Sequence, residues 1–308
     1  MDVSIIVVSY NTRRLLRECL GSIFLNTRNV RYEVIVVDNG SADGSADMVE
    51  REFADACLIR LATNTGFGAA NNVGYRRSSG RYVFLLNSDT CLLDDAVGVF
   101  VQFMERPENQ DVAVCGGMLV DKDGGAAVSC GNLPSVLDLL VWLFRLDVIL
   151  PQGIKARLSP ALRAEGETAY PMPLISGAAF FLRRSALAEP VPFDTDFFLY
   201  FEETELCFRL RKRGFRGMVI PTVRIMHLYS QTAVSLGDKR AEIFERSKLL
   251  YFLKCKGPRT AGAVRALYCI GYLCRYLLAA RETDRQKMKF YWTRGLMKTL
   301  SADRSSSA

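Results

Sequence analysis

Three carboxylates fall within four residues at Glu202-Glu203-Thr204-Glu205, directly after Tyr200-Phe201. Crowded carboxylates beneath aromatic rings keep their protons to higher pH than isolated ones, which suits a general base. The same acids at the head of a helix continuing through Cys207-Phe208-Arg209-Leu210 also favour the helix dipole, so the pattern alone fits either role. Asp89 closes an apolar run after Asn87 and Ser88. A carboxylate there suits a hard cation such as Mg²⁺ or Mn²⁺, with substrate phosphates completing the coordination. Asp89 or Thr90 would equally serve as the cap of a following helix. His227 is the only histidine and stands near Tyr229 and Ser230, as a candidate further metal ligand or a structural imidazole. Asp38-Asn39-Gly40-Ser41 offers donors and acceptors to a base edge or ribose, and is also an ordinary turn. Gly66-Phe67-Gly68 and Ser176-Gly177-Ala178-Ala179 are small enough to let a phosphate or sugar approach the backbone.

The elements that would position these residues alternate. Strands are predicted at Val3–Ser9, Tyr32–Val37, Leu58–Ala62, Tyr82–Leu86 and Val112–Gly116. Helices are predicted at Thr12–Asn26, Asp43–Phe53, Gly68–Arg77 and Asp94–Glu105, between those strands. Such alternation means βαβ units and an α/β fold with a mostly parallel sheet, which binds ligands beyond the carboxyl ends of its strands. Ser9-Tyr10-Asn11, Asp38-Asn39 and Asn87-Ser88-Asp89 each close a strand, so they should converge on one crevice. The Gly66 segment lacks a third glycine and does not follow the first strand, which excludes a dinucleotide fingerprint. An apolar helix is expected at Ser135–Leu150, and a proline-bearing loop over the site at 151–173.

Charge divides the chain. Residues 1–206 hold 18 Lys and Arg against 27 Asp and Glu; residues 207–308 hold 22 against 6. The basic part, mainly helical over 235–308, should meet something anionic or form a solvated face. Val264–Ala280, apolar apart from Arg265 and Arg275, would lie in a membrane interface with those arginines on lipid phosphates, or dock on the body. It lacks interleaved aromatic platforms and any reader motif, so nucleic acid is not an expected partner. Nine cysteines, an odd number without a CxxC pair, read as reduced thiols rather than a zinc or disulfide framework. With no basic segment ahead of Val3 and no run of 18 apolar residues, neither a secretory signal nor a membrane span is expected.

Taken in order, these blocks resemble family 2 glycosyltransferases of the GT-A fold, and within them the rhamnosyltransferase-like enzymes of cell-wall and O-antigen assembly. The matching text is VSYN at 8–11, VVDNGSADGS at 36–45, NTGFGAANNVG at 64–74, FLLNSDT at 84–90, SGAAFFLRR at 176–184, FFLYFEETELCFRLRKRGF at 197–215 and the His227 region. The resemblance implies a Rossmann-like central sheet flanked by helices, with a catalytic domain over 1–234 and a basic helical extension over 235–308.

By that resemblance, Ser9, Tyr10, Asp38 and Asn39 would serve the nucleotide. Gly66, Asn71, Asn87, Ser88 and Gly177 would line the diphosphate and donor sugar. Asp89 and His227 would hold Mg²⁺ or Mn²⁺, and Glu203 or its neighbour Glu202 would be the catalytic base, with Glu203 favoured. The implied activity is inverting, non-processive transfer of one sugar, L-rhamnose the leading candidate, from a dTDP- or UDP-linked donor to a glycan or lipid-linked acceptor. The implied location is the cytoplasmic face of the plasma membrane, on an anionic surface. Two departures stand out: Asn87 replaces the family's first Asp of DxD, and Glu202-Glu203-Thr204-Glu205-Leu206 replaces EDxDL. They are the support for the alternative of an inactive sugar-nucleotide- or membrane-binding relative. A sugar nucleotidyltransferase would carry a glycine-rich loop where Tyr10-Asn11-Thr12-Arg13-Arg14 stands.

Overall fold

A computed structural model describes residues 1–144, 167–228 and 239–279, together with 285, 287, 288, 290 and 291. The remaining parts of the apolar helix, the proline-bearing loop and the basic extension, and Tyr229 and Ser230, lie outside the described residues. The described residues of Met1–Leu133 and Ser159–Ser247 form one compact unit, and those of Pro134–Leu158 and Lys248–Ala308 another.

The first unit opens as β1 (Val3–Ser9), α1 (Arg13–Asn26), β2 (Tyr32–Asp38), α2 (Ser45–Glu52), β3 (Ala56–Arg60), α3 (Phe67–Arg77) and β4 (Tyr82–Asn87). It continues with β5 (Thr90–Leu92), α4 (Ala96–Glu105), β6 (Val112–Val120) and β7 (Cys130–Gly131). In the second unit lies α5 (Val136–Leu143). The first unit resumes with β8 (Tyr170–Pro171), β9 (Leu174–Ile175), β10 (Ala179–Arg183), α6 (Glu202–Lys212) and β11 (Arg216–His227). α7 (Lys239–Tyr251) begins in the first unit and ends in the second, which also holds α8 (Pro258–Ala279).

Among the described residues the main sheet has nine strands in the order β3-β2-β1-β4-β10-β6-β11-β5, with β8 also paired to β11. β1, β2, β3 and β4 pair in parallel, as do β6 and β11. β10 enters between β4 and β6 antiparallel to both, and β5 runs antiparallel to β11. The sheet is thus mixed but mostly parallel, as the alternation predicts.

Strands buried on both faces need no polar alternation. In β1, Ile5 and Val7 face one cluster with Leu16, Leu20, Met48 and Phe100, while Ile6 and Val8 face another with Ala70, Tyr75, Leu206 and Leu210. Helices α1, α2 and α4 therefore cover one face and α3 and α6 the other. At the inserted β10, Phe181 packs against Tyr82, Phe84 and Phe100, with ring centroids 5.1–5.8 Å apart. Arg183 ends that strand by donating to the carbonyls of Val112 (2.9 Å), Met104 (2.8 Å) and Asn109 (3.0 Å), tying β10 to its neighbours.

One expectation needs correction. Neither Asp89 nor Thr90 caps α4: Thr90 lies in β5, and Asp95 is the cap, accepting from the Gly98 amide at 3.0 Å. In the second unit, Asp138 forms a capping box with Ser135 at the head of α5.

Truncation of Phe181 to Ala removes the hub of the aromatic cluster without touching the strand ends. It should cost about 3–5 kcal/mol, read as a lower urea midpoint.

Candidate active site

Register brings the polar strand ends together. Ser9 stands opposite Asp38, and Val8 opposite Asn87, so β1, β2 and β4 end on one line. The antiparallel entry of β10 puts the small residues that precede it at the same edge, where the Ala178 carbonyl accepts from the Asn87 amide at 3.0 Å. β11 ends there too: His227 pairs with Thr90, and the Leu228 amide donates to the Asp89 carbonyl at 2.9 Å.

The loops along this edge are latched to each other. Ser9, Thr12 and Ser88 form a buried hydroxyl chain, with separations of 2.9 and 2.8 Å, joining the ends of β1 and β4. Asn11 takes a positive φ of 54° and accepts from the Ala42 amide at 2.8 Å, while its own amide donates to Ser41 Oγ at 2.9 Å. Asn39 Nδ2 donates to Asn64 Oδ1 (3.0 Å) and the Gly66 carbonyl (3.3 Å), and its Oδ1 accepts from the Thr65 amide (2.9 Å) and hydroxyl (3.1 Å). Its side chain thus shapes the 64–66 loop. Asp38 Oδ2 accepts from the Ser41 amide at 3.1 Å, while its Oδ1, like Asn87 Oδ1, is buried without a hydrogen-bond partner in the structure. Buried polar atoms are nearly always paired, so such atoms at a strand-end crevice are candidates for contact with a polar ligand.

Gly66 has φ 91°, and a side chain on it would strike the Phe198 carbonyl, which accepts from the Phe67 amide at 2.8 Å. This contact seats α3 against the segment leading into α6. Asn71 is buried and donates to the Phe67 carbonyl one turn back at 3.0 Å. The neighbouring Asn72 exchanges two hydrogen bonds with the Phe193 backbone, at 2.7 and 3.0 Å. Tyr10 is half-buried at the mouth of β1.

The three carboxylates separate in role. Glu205 accepts from Arg209 Nε at 2.7 Å, and Arg209 also meets Glu189 at 2.8 Å, so Glu205 is held in a structural ion-pair cluster. Glu202 is 2% exposed, and its Oε2 has no hydrogen-bond partner in the structure. Burial first, and the adjacent Glu203 carboxylate second, push its carboxyl well above the ordinary range. Burial also raises Glu203, which is half-buried and packs over Gly177, where an added Cβ would stand 3.4 Å from Glu203 Cγ. Gly177 adjoins Ala178, which bonds Asn87, so Glu203 stands by the end of β4. Immediately before α6, Tyr200 and Phe201 both take left-handed backbone angles, φ 68° and 71°.

Asp89 and His227 meet directly, with Asp89 Oδ1 3.2 Å from His227 Nε2. Among the described residues no group of three or more His, Cys, Asp or Glu side chains is gathered as a metal-ligand set. The sequence reading missed Thr12, which precedes α1, and Asn72 in α3; neither carries a spacing signal that marks it. It also missed the left-handed pair, since aromatic residues are poor candidates for positive φ.

With this geometry in view, the class follows from the match of the sequence model for glycosyl transferase family 2 to residues 4–189: the chain belongs to glycosyl transferase family 2. It is accordingly a glycosyltransferase, of a hexosyltransferase family. It is 24% identical over 245 residues to the N-acetylglucosaminyl-diphospho-decaprenol L-rhamnosyltransferase of Mycobacterium tuberculosis, spanning 72% of this chain and 75% of that one. It is 34% identical over 118 residues to the uncharacterized glycosyltransferase YfnE of Bacillus subtilis, spanning 38% of this chain and 30% of that protein. Among solved structures it resembles the mannosyltransferase PcManGT of Pyrobaculum calidifontis, determined with GDP-Man and Mn²⁺, at 18% identity and TM-score 0.54 over 99% of this chain and 76% of that one. It also resembles GalNAc-T7, determined with UDP, GalNAc and Mn²⁺, at 15% identity and TM-score 0.53, over 74% of this chain but only 44% of that one. These likenesses establish the GT-A fold.

The raised Glu202 carboxyl makes stability depend on pH. The folded protein holds this proton more tightly than the unfolded chain, so stability is greatest below the ordinary value of 4.5 and falls as pH rises toward the raised value. The uncharged Glu202→Gln variant escapes that loss. Its melting temperature should gain on wild type between about pH 4 and pH 7, and a pH-independent difference would refute the assignment.

Proposed function

We propose that the protein is an inverting, divalent-cation-dependent glycosyltransferase that moves one sugar from a nucleoside-diphosphate donor to an acceptor hydroxyl. The observation that carries the reading is Glu203: a half-buried carboxyl of raised proton affinity, packed over Gly177 beside the converging strand ends. Asp38 with the Ser9-Tyr10 turn would take the base and ribose, and the unpaired Asp38 Oδ1 supplies an acceptor there. Asn39 contributes by fixing the 64–66 loop, whose Gly66 backbone would approach the diphosphate with the head of α3. Asn71, Asn87, Ser88 and Gly177 would border the donor sugar.

Asp89 and His227 suit Mg²⁺ or Mn²⁺. Asp89 Oδ1 and His227 Nε2, which stand 3.2 Å apart, are the two donor atoms that would hold the cation. Two protein ligands, with the diphosphate and water supplying the others, match the way such ions bind at phosphate sites. When bound, the cation neutralises charge on the departing diphosphate. The chain's own part is proton transfer and positioning. Glu203 accepts the proton of the acceptor hydroxyl as that oxygen bonds the anomeric carbon, whose bond to the diphosphate oxygen breaks on the opposite face. A single displacement inverts the anomeric configuration. Burial keeps the proton affinity of Glu203 high, and Glu202, sealed beneath, holds its own proton more tightly still.

L-Rhamnose is the sugar favoured by the mycobacterial relative's name; dTDP is its expected carrier, with UDP-hexoses as the alternative. The same name favours a lipid-linked diphosphate acceptor; with such an acceptor we place the work at the cytoplasmic membrane face, on an anionic surface. No described helix is long and apolar enough to cross a membrane.

The test is turnover across a panel of nucleotide sugars with and without Mn²⁺. Glu203→Gln should lower kcat by about 10²–10⁴-fold and leave donor Kd within about threefold. Glu205→Gln should lower stability by about 1–3 kcal/mol through the loss of the Arg209 pair, yet keep most of kcat. Unchanged turnover in the Glu203 variant would overturn the reading. The acid limb of the wild-type kcat profile should lie above the ordinary 4.5, because the base must lose a tightly held proton to act.

A further inference from the structure

In the second unit, α8 is apolar on two opposite faces. One face is buried: Ala261, Val264, Tyr268 and Tyr272 are at most 1% exposed, and Leu143 of α5 sits against Gly271, where a side chain would collide with it. The opposite face is exposed. Ala263, Ala266, Ile270, Leu273, Cys274 and Leu277 recur at helical spacing, with Ile270 53%, Leu273 42% and Leu277 72% exposed. No charged residue interrupts this stripe. The two arginines, which one of the two sequence readings sets on lipid phosphates, turn away from it: Arg265 Nε donates to the Tyr291 carbonyl at 2.5 Å, and Arg275 stacks on Trp142 at 5.4 Å. The cations near the stripe stand instead at its head, where Arg259 shares its face and Lys254 and Lys256 precede it, all three exposed.

We infer that this outer face of α8 is the surface by which the protein lies on an anionic phospholipid bilayer. The inference rests on the membrane-face reading given above and names the residues that would carry it. An interfacial helix buries one apolar face at the headgroup boundary, with basic groups beside it drawn to anionic lipid. The stripe spans about 14 residues, hence about 21 Å at the helical rise, and a helix face is about 10 Å wide. Pairing two copies through it would bury only about 400 Å² in all, well short of the roughly 1,200 Å² of a stable interface. Charge argues the same way. Residues 207–308 carry 22 Lys and Arg against 6 Asp and Glu, so two such regions repel each other whereas an anionic surface attracts them.

The experiment is cosedimentation of the full chain with vesicles of phosphatidylcholine alone or with phosphatidylglycerol. Wild type should pellet with the phosphatidylglycerol vesicles and be released by salt. The triple change Ile270→Glu, Leu273→Glu and Leu277→Glu should weaken partitioning at least about tenfold. The single change Leu277→Glu, at the most exposed of the three positions, guards against misfolding and should weaken it severalfold. An unchanged donor-induced melting shift in both variants would show the catalytic unit intact. Variants that pellet like wild type would overturn the assignment to α8 while leaving the membrane reading standing. Wild type that pellets with neither vesicle would overturn both. A dimer in light scattering that the triple change converts to monomer, with vesicle binding intact, would assign the face to a second copy and overturn the proposal.

Discussion

Two consecutive non-glycine residues in the left-handed region, Tyr200 and Phe201, turn the chain into α6 and so decide where Glu202 and Glu203 stand. Each such residue costs on the order of 1–3 kcal/mol and persists only where its surroundings over-determine it. Here they do. The Ser247 hydroxyl donates to the Leu199 carbonyl at 2.8 Å, the Phe67 amide to the Phe198 carbonyl at 2.8 Å, and Arg240 Nε to the Tyr200 hydroxyl at 3.0 Å. The Phe244 ring closes over both aromatic rings, at 5.5 and 5.3 Å. Strain and buried acid both oppose folding at this one place. The doubly covered sheet, with its continuous apolar strands, offsets them.

The crevice is prearranged in the same sense. Its loops hold their shape through bonds to one another: the hydroxyl chain across β1 and β4, the Asn39 amide in the 64–66 loop, and the Asn11 bridge to the loop after β2. A site whose walls are already fixed spends little binding energy on ordering them, which leaves more for the reacting groups. Several polar residues at the crevice therefore work as joinery. Asp38 Oδ1 and Asn87 Oδ1, buried without hydrogen-bond partners in the structure, are among those left to meet something else.

Legibility in the sequence followed the physics of each element. β1, β2 and β4 were readable because strands buried on both faces are short apolar runs bounded by polar turns, and their ends fell within a residue of the expected ones. The convergence of Ser9, Asp38 and Asn87 followed from parallel pairing alone. The antiparallel insertion of β10 was not readable, because an apolar run such as Ala179–Arg183 does not name its partners. β5 was hidden because Thr90 after Asp89 has the composition of a helix cap, and only pairing with β11 makes it a strand. Among the carboxylates, spacing grouped Glu202, Glu203 and Glu205 as equals; only the position of Arg209 one turn on shows which is committed elsewhere. On α8, arginines in an apolar helix read as outward-facing anchors, yet aromatic and carbonyl partners draw them inward.

The nine cysteines carry a consequence for handling the protein. Burial pushes the thiols of Cys91 and Cys207 up to about 11 and about 12, and those of Cys19 and Cys115 rise as well. At neutral pH these sulfurs stay protonated and out of reach of electrophiles. Cys274 is the exposed one of the nine. A maleimide dye should therefore settle there before elsewhere, and its colour would report whether water or something oilier surrounds that turn of the chain.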